Sequence, residues 1–449
     1  MPVLVAPRND AIDSRASQSI LSAIVLYGTF GLLLFGPLAF GAVESWAIFT
    51  LEAGAALLFV LWAVWQAASG ELRILGSPLF PPMLAFEALI LVQLVSGRTS
   101  YRYVTGSSAL LYCAYGLICF LCVQSLRRGC QIEVLAWLIS CYGAAMAMFA
   151  LIQGVASNGK LYWLRTPRLG GWIYGPYVNH NHYAGLMEML LPIPLVAALA
   201  HSVPQPRRAA AGIAAALMAT TIFLSGSRGG MLAFAVEMAI LGAVLIRRGS
   251  SRTVALTLGA FLVVVVGMLT WLGGGELTSR IASVRPDVRS DVSGAMRLDI
   301  DRDGLQMFAR KPVLGYGLGV FPTIYPQYRS FYTNVFVNQA HNDYVQLLVE
   351  AGALGFAVML WFLGISFYGG IKKLNNWSKD PNGSVALAAL LGITGILVHS
   401  FVDFNLQIPA NAALFYVLCV VAAMKPRFGT FSRVRTRRHR PESSGLLSA

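Results

Sequence analysis

Thr253-Val-Ala-Leu-Thr-Leu-Gly-Ala-Phe-Leu-Val-Val-Val-Val-Gly-Met-Leu-Thr-Trp-Leu272 contains no charged side chain. In water such a run has no face to solvate. Roughly 20 apolar residues rising ~1.5 Å each do cross the ~30 Å hydrocarbon core of a bilayer. Working outward, comparable runs begin near Ile20, Trp46, Pro78, Ala109, Ile132, Tyr183, Ala209, Gly229, Tyr344, Val385 and Leu406, which makes about twelve with the first. Backbone polar groups in lipid must be satisfied within the segment, so these runs are expected to be helices. Composition agrees: 56% hydrophobic, 12% charged and a mean hydropathy of +0.64 exclude a soluble globule. The expected fold class is an all-α polytopic membrane protein of about twelve transmembrane helices with one large external loop.

Orientation follows from where Lys and Arg collect, because short basic loops stay cytoplasmic. Placing both termini inside puts Arg73, Arg127, Arg128, Arg207, Arg208, Arg247, Arg248, Arg252, Lys372, Lys373, Lys379 and the basic tail in the cytoplasm. The other face keeps Arg98, Arg102, Lys160, Arg165, Arg168 and Arg228, together with the long polar loop 273–342. Residues 1–19 are polar and show no signal-peptide cleavage pattern. The division expected is therefore a cytoplasmic segment 1–19, a membrane bundle 20–424 that includes the loop 273–342, and a basic cytoplasmic tail 425–449. The net charge of +14 lies largely in cytoplasmic loops and the tail, where anionic lipid headgroups explain it better than nucleic acid does. All six cysteines lie in or near apolar spans and none in the loop, so no disulfide is expected.

Several polar stretches stand out against this background. Ser225-Gly-Ser-Arg-Gly-Gly230 is a tight turn whose backbone N–H groups and Arg228 guanidinium could hold an oxyanion; an interfacial anchor is the plainer role. Arg165 and Arg168 open a second external segment, and two arginine groups facing one compartment suit a diphosphate. Gly175-Pro-Tyr-Val-Asn-His-Asn-His-Tyr-Ala184 precedes an apolar helix. There Asn179 and Asn181 suit helix capping, and the His180/His182 spacing is poor for a metal on one helix face. In His341-Asn342-Asp343-Tyr344, Asn342 and Asp343 can cap the helix, leaving the His341 imidazole free as a general base. His399 and Asp403, four apart, could pair on one helix face. Asp299-Ile-Asp301-Arg-Asp303 has a cation-holding pattern, but beside Arg297 and Arg302 it reads as the solvated side of an amphipathic helix over 297–308.

Taken together, Arg168 with Asn179-His-Asn181, the Ser-Arg-Gly turn at 227–229, the Pro312 to Gly319 turn, His341-Asn342 with Glu350-Ala-Gly352, and His399 with Asp403 resemble the O-antigen ligase and polymerase superfamily of bacterial membrane glycosyltransferases. The resemblance covers mainly 165–409. It implies a GT-C-like bundle in the bacterial inner membrane, with the site facing the periplasm. The implied donor is a glycan on undecaprenyl diphosphate and the acceptor a hydroxyl of lipid A core. It further implies Arg168 and Arg228, or Arg165, on the diphosphate, His341 as base, inversion at the anomeric carbon, and no metal or other cofactor. Asn179, Asn181, Asn342, His399, Asp403 and Arg297 are expected in support. A polymerase that uses a second lipid-linked glycan as acceptor is the near alternative; a lipid-linked glycan transporter is the distant one, and it predicts an internal repeat that the sequence does not display. The topology is testable directly. A fluorescent protein fused after Ala449 is expected to fluoresce and alkaline phosphatase inserted near Val292 to be active, and the opposite pattern would invert the assignment.

Overall fold

The computed structural model describes residues 9–70, 72–167, 173–247, 252–273, 294–334 and 336–425. Among them the regular elements are helical, with two isolated β-bridges, Leu161 to Arg165 and Tyr174 to Tyr177, in the connection before the sixth helix. The helices in order are α1 Asn9–Leu38, α2 Ser45–Ala68, α3 Phe80–Val95, α4 Arg102–Ser125, α5 Gly129–Val155, α6 His180–Leu190, α7 Pro192–Leu199, α8 Gln205–Leu224 and α9 Arg228–Arg247. They continue with α10 Arg252–Gly273, α11 Gly294–Arg310, α12 Asp343–Ile371, α13 Pro381–His399 and α14 Pro409–Ala423. Each of the twelve sequence-based starts falls in or within three residues of one of these helices. Ten spans among the described residues are long and apolar enough to cross a membrane, α6 and α7 together forming one of them. The other two, α3 and α14, are shorter apolar helices. The amphipathic helix expected over 297–308 is α11.

Burial sorts the helices into an inner and an outer set. Every residue of α6 is buried, as is all of α14 except its last residue. The α6–α7 hydrogen-bond ladder is broken at Leu191, where Pro192 brings no N–H to it. Around this centre α13 packs on α6, α7, α9 and α14, while α12 packs on α3, α11 and α14. In lipid such association rests on close van der Waals approach rather than on water release, which favours small residues at the contacts. At Gly392 of α13 a Cβ would stand 2.9 Å from the Met189 carbonyl of α6, so the two backbones nearly touch.

One span is interrupted. Gly352 inside α12 takes φ 67 and ψ −170, and the carbonyls and N–H groups freed there are met by the 312–317 loop. Tyr316 N–H donates to Val349 O (2.9 Å), Gly317 N–H to Glu350 O (3.0 Å) and Ala353 N–H to Pro312 O (2.8 Å). Gln93 from α3 adds its amide to Leu314 O (2.6 Å) and Glu350 O (2.9 Å). Irregular backbone is tolerated inside a membrane bundle when protein satisfies it, as here. The Glu350 carboxylate accepts from the N–H groups of Gly319 (2.8 Å) and Phe321 (3.1 Å), so the glycine turn holds the protein's own carboxylate. An added Cβ at Gly352 would collide with Val313 O. Gly352→Ala is therefore expected to lower stability by about 1–3 kcal/mol or more, read as a fall in thermal midpoint. Gly364→Ala on the same helix, where a Cβ meets open space, should be neutral or slightly stabilising.

Candidate active site at one end of the bundle

The polar residues singled out in the sequence converge where α6, α9 and α12 begin and α13 ends. Each of the three starts is tied by a side chain. Asn179 Oδ1 accepts from Asn181 N–H (2.9 Å), Ser227 Oγ from Gly230 N–H (3.1 Å), and Asn342 Oδ1 from Tyr344 and Val345 N–H (3.1 and 3.2 Å). Three helix N-termini at one place give a positive local field, each amounting to about half a unit charge. The α13–α14 connection, 400–408, runs among them and is fixed by Asp343. That carboxylate accepts from Ser400 Oγ (2.8 Å), Leu406 N–H (3.1 Å) and Gln407 Nε2 (3.2 Å).

Asp403 stands at the centre of this end. Its Oδ1 accepts the Phe404 N–H (2.8 Å) and lies 3.6 Å from His341 Nδ1 and 3.9 Å from His182 Nε2. The Phe404 ring is wedged edgewise between the two imidazoles, with centroids 4.8 Å from His341 and 4.7 Å from His182. All three polar side chains are buried. Burial alone would raise the Asp403 carboxyl, but His341, His182 and Arg297 around it hold it well below the usual carboxylate range. Asp403 Oδ1 faces His341 Nδ1 at 3.6 Å, just beyond hydrogen-bond distance, which leaves Nε2 on the other edge of the ring. No described residue hydrogen-bonds to that Nε2. His341 itself takes φ 55, a left-handed conformation that strains a non-glycine residue and is held here by the surrounding contacts.

Helix α11 lies over this end. Arg297 donates to Val402 O, and Asp301 Oδ2 is 3.4 Å from Asn342 Nδ2. Burial pushes the Asp301 carboxyl up, offset in part by Asn342, His341 and Arg297. The three carboxylates of the Asp-x-Asp pattern part company. Asp299 faces Arg302 (3.9 Å), Asp301 faces Asn342, and Asp303 is buried under Tyr325 OH (3.1 Å) and Ser330 N–H (3.0 Å). Among the described residues no group of three or more His, Cys, Asp or Glu side chains is placed to hold a metal ion.

One sequence expectation needs correction. His399 does not pair with Asp403: α13 ends at His399, so Asp403 leaves the helix face, and His399 Nδ1 meets Glu188 Oε1 of α6 instead (2.8 Å). Arg165 is committed elsewhere, to Glu44 (2.6 Å) and the Phe40 ring (4.8 Å), and has no described contact with the His–Asp cluster. Arg168 lies outside the described residues. Arg228 opens α9 with an exposed side chain and no partner among the described residues. Sequence reasoning assigned no part to Phe404 or to the His182 side chain. A His-x-His pattern points first to metal, and nothing local announces a carboxylate arriving from 400–408.

Residues 213–360 match a family model described as O-antigen ligase. The chain is also 22% identical over 415 residues to the exopolysaccharide production protein ExoQ of Rhizobium meliloti (strain 1021), an alignment covering 84% of this chain and 87% of that protein. These findings support the O-antigen ligase superfamily. The segment matched by the family model holds Arg228, Arg297, His341, Asn342 and Glu350, while His182, His399 and Asp403 fall outside it and join the site only through the fold. Ten apolar helices among the described residues are consistent with a multi-span membrane protein, and the chain's matched segment is similar to O-antigen ligases.

Because Asp403 is held below its unfolded value, near 3.9, the stability it contributes is complete above about pH 4 and is lost only as pH falls through the lower folded value. Asp403→Asn is expected to lower the thermal midpoint, with a gap to wild type that stays level from about pH 5 to 8. A gap that closes within that window would mean that the carboxylate is not depressed.

Proposed function

We propose that the protein transfers a glycan from undecaprenyl diphosphate to an acceptor hydroxyl, with lipid A core as acceptor, at the end of the bundle that carries His341 and Arg228. The observation that supports this reading most is the His341 imidazole, backed at Nδ1 by an ionised Asp403 and open at Nε2, at the end of the bundle where Arg228 opens α9. In the proposed step the acceptor O–H gives its proton to His341 Nε2 while its oxygen attacks the anomeric carbon. The bond from that carbon to the diphosphate oxygen breaks, and its electron pair leaves on undecaprenyl diphosphate. Attack from the face opposite the leaving group inverts the anomeric centre.

The leaving diphosphate gathers negative charge as the bond breaks, so preorganised positive groups act most strongly there. Arg228, the neighbouring helix N-termini and, on the family resemblance, Arg168 supply them. Asp403 stabilises the imidazolium that forms on His341. The bundle 20–424 with its loop 273–342 is the catalytic unit on this reading, the loop and site face the periplasm, and 1–19 and 425–449 lie on the cytoplasmic side. A polymerase reading, with a second lipid-linked glycan as acceptor, is favoured by the relative's name, exopolysaccharide production protein.

Purified wild type and variants in chelator, supplied with undecaprenyl-diphosphate-linked glycan and lipid A core, test this. Wild type is expected to release undecaprenyl diphosphate and to form an inverted linkage, with His341→Ala slower by about 10²–10⁴-fold and Arg228→Ala by about 10²–10³-fold. Lengthened lipid-linked glycan in place of modified lipid A would select the polymerase. Full activity of folded His341→Ala would sink the mechanism.

A further inference from the structure

Behind the Ser-Arg-Gly turn lies a buried pair that the proposed reaction does not use. Glu188 on α6 and His399 at the end of α13 are both sealed from solvent and joined by the 2.8 Å contact between Oε1 and Nδ1. A carboxylate inside a membrane bundle is expensive unless it is paired, so the chain has a physical reason to keep this partner in place. The pair touches the two glycines that follow Arg228. A Cβ at Gly229 would collide with His399 Cδ2 and Nε2, and a Cβ at Gly230 would stand 3.0 Å from Glu188 Oε1 and 2.8 Å from Ala184 Cβ. The imidazole therefore lies against the backbone of the turn, and the turn has no room to sink further.

The turn is fixed from its own side as well. Ser225 Oγ bonds back to Ile222 O (2.7 Å) and Ser227 Oγ accepts from Gly230 N–H (3.1 Å), while Gly226 takes φ 76. These contacts set its shape. The Glu188–His399 pair sets where that shape sits against the bundle. Without Glu188 the imidazole can turn away from Gly229, and the first residue of α9, Arg228, loses its backing.

From this we infer that Glu188 is a positioning residue for the anion site: by holding His399 against Gly229 and Gly230 it fixes the place from which Arg228 meets the diphosphate. The inference rests on the proposed reading of Arg228. Neither glutamate nor imidazole touches the substrate in it. Its signature is loss of diphosphate affinity coupled to Arg228, with the proton-accepting chemistry of His341 unaltered.

The test uses the full chain in lipid nanodiscs and undecaprenyl diphosphate as the probe, with binding measured for each variant and folding checked by thermal midpoint. Glu188→Ala is expected to weaken binding by about tenfold, and Glu188→Gln, which keeps an oxygen to accept from His399, to recover most of it. In the Arg228→Ala background Glu188→Ala should bring no further loss, because the two act through one contact. A size test covers the case in which Glu188→Ala does not fold. Gly229→Ala is expected to weaken binding in wild type and to have little further effect in His399→Ala, where the ring that it strikes is gone. Wild-type affinity in folded Glu188→Ala or Glu188→Gln, alongside weakened Arg228→Ala, would overturn the positioning role and leave the diphosphate reading standing; additive losses would do the same. Undiminished binding by Arg228→Ala would overturn both.

Discussion

A single buried carboxylate has to remain charged. Asp403 is shielded from solvent, and removing a carboxylate from water costs several kcal/mol unless donors and cations replace the water. Here the replacement comes from four parts of the chain: the Phe404 N–H, His341 at the start of α12, His182 in α6, and Arg297 from α11, whose charge reaches it while its guanidinium grips the neighbouring Val402 carbonyl. Each supplier must therefore stay registered to the 400–408 connection. The connection is held to α12 by Asp343, and at its far end Asn411 ties α14 to the His182 carbonyl (3.0 Å) and accepts from Tyr177 OH (2.9 Å). The order of this end of the bundle and the charge state of Asp403 are thus one requirement.

The same logic explains two places where the backbone leaves helix geometry inside the bundle. At Gly352 the lost ladder is taken up by the 312–317 loop and Gln93, and at 400–408 by Asp343 and the last turn of α13. Hydrocarbon offers no alternative partner, so each irregularity needs a polar residue from a different helix. That requirement places Gln93, Asp343 and Glu350 inside otherwise apolar helices. Gln93 bonds the Leu314 and Glu350 carbonyls, Glu350 accepts from the Gly319 and Phe321 N–H groups and from Gln346 Nε2, and Asp343 accepts from Leu406 N–H, Ser400 Oγ and Gln407 Nε2.

The spans were legible because bilayer thickness imposes a length on apolar runs, and that constraint acts locally. Caps were legible for the same reason: Asn179 and Asn342 bond groups two or three residues away. Partnerships between helices were not. His399 and Asp403 satisfied a helical spacing, yet the helix stops between them, and nothing in the local sequence says whether the pattern outlasts the helix. Arg165 meets Glu44, a partner far off in the chain that no local pattern announces. In the Asp299, Asp301, Asp303 pattern successive members point around α11 by roughly 200°, and each finds a different neighbour.

The position of α11 bears on how one chemistry can serve different acceptors. On the proposed reading the proton acceptor, the carboxylate behind it and the diphosphate arginine belong to helix ends and tight turns that the bundle fixes. The acceptor has no comparable fixed platform among them. Its hydroxyl must come up beside Asn342 and His341, and the structure already brings Asp301 of α11 to Asn342 and Arg297 of α11 to the Val402 carbonyl. Helix α11 exposes Arg302, Gln306 and Arg310 beside Leu298 and Leu305, and carries none of the spans. Changes along it can alter which hydroxyl is admitted without disturbing the charge balance around Asp403, provided that Arg297 and Asp301 keep their places. A ligase and a polymerase can then share the site and differ in the segment laid across it.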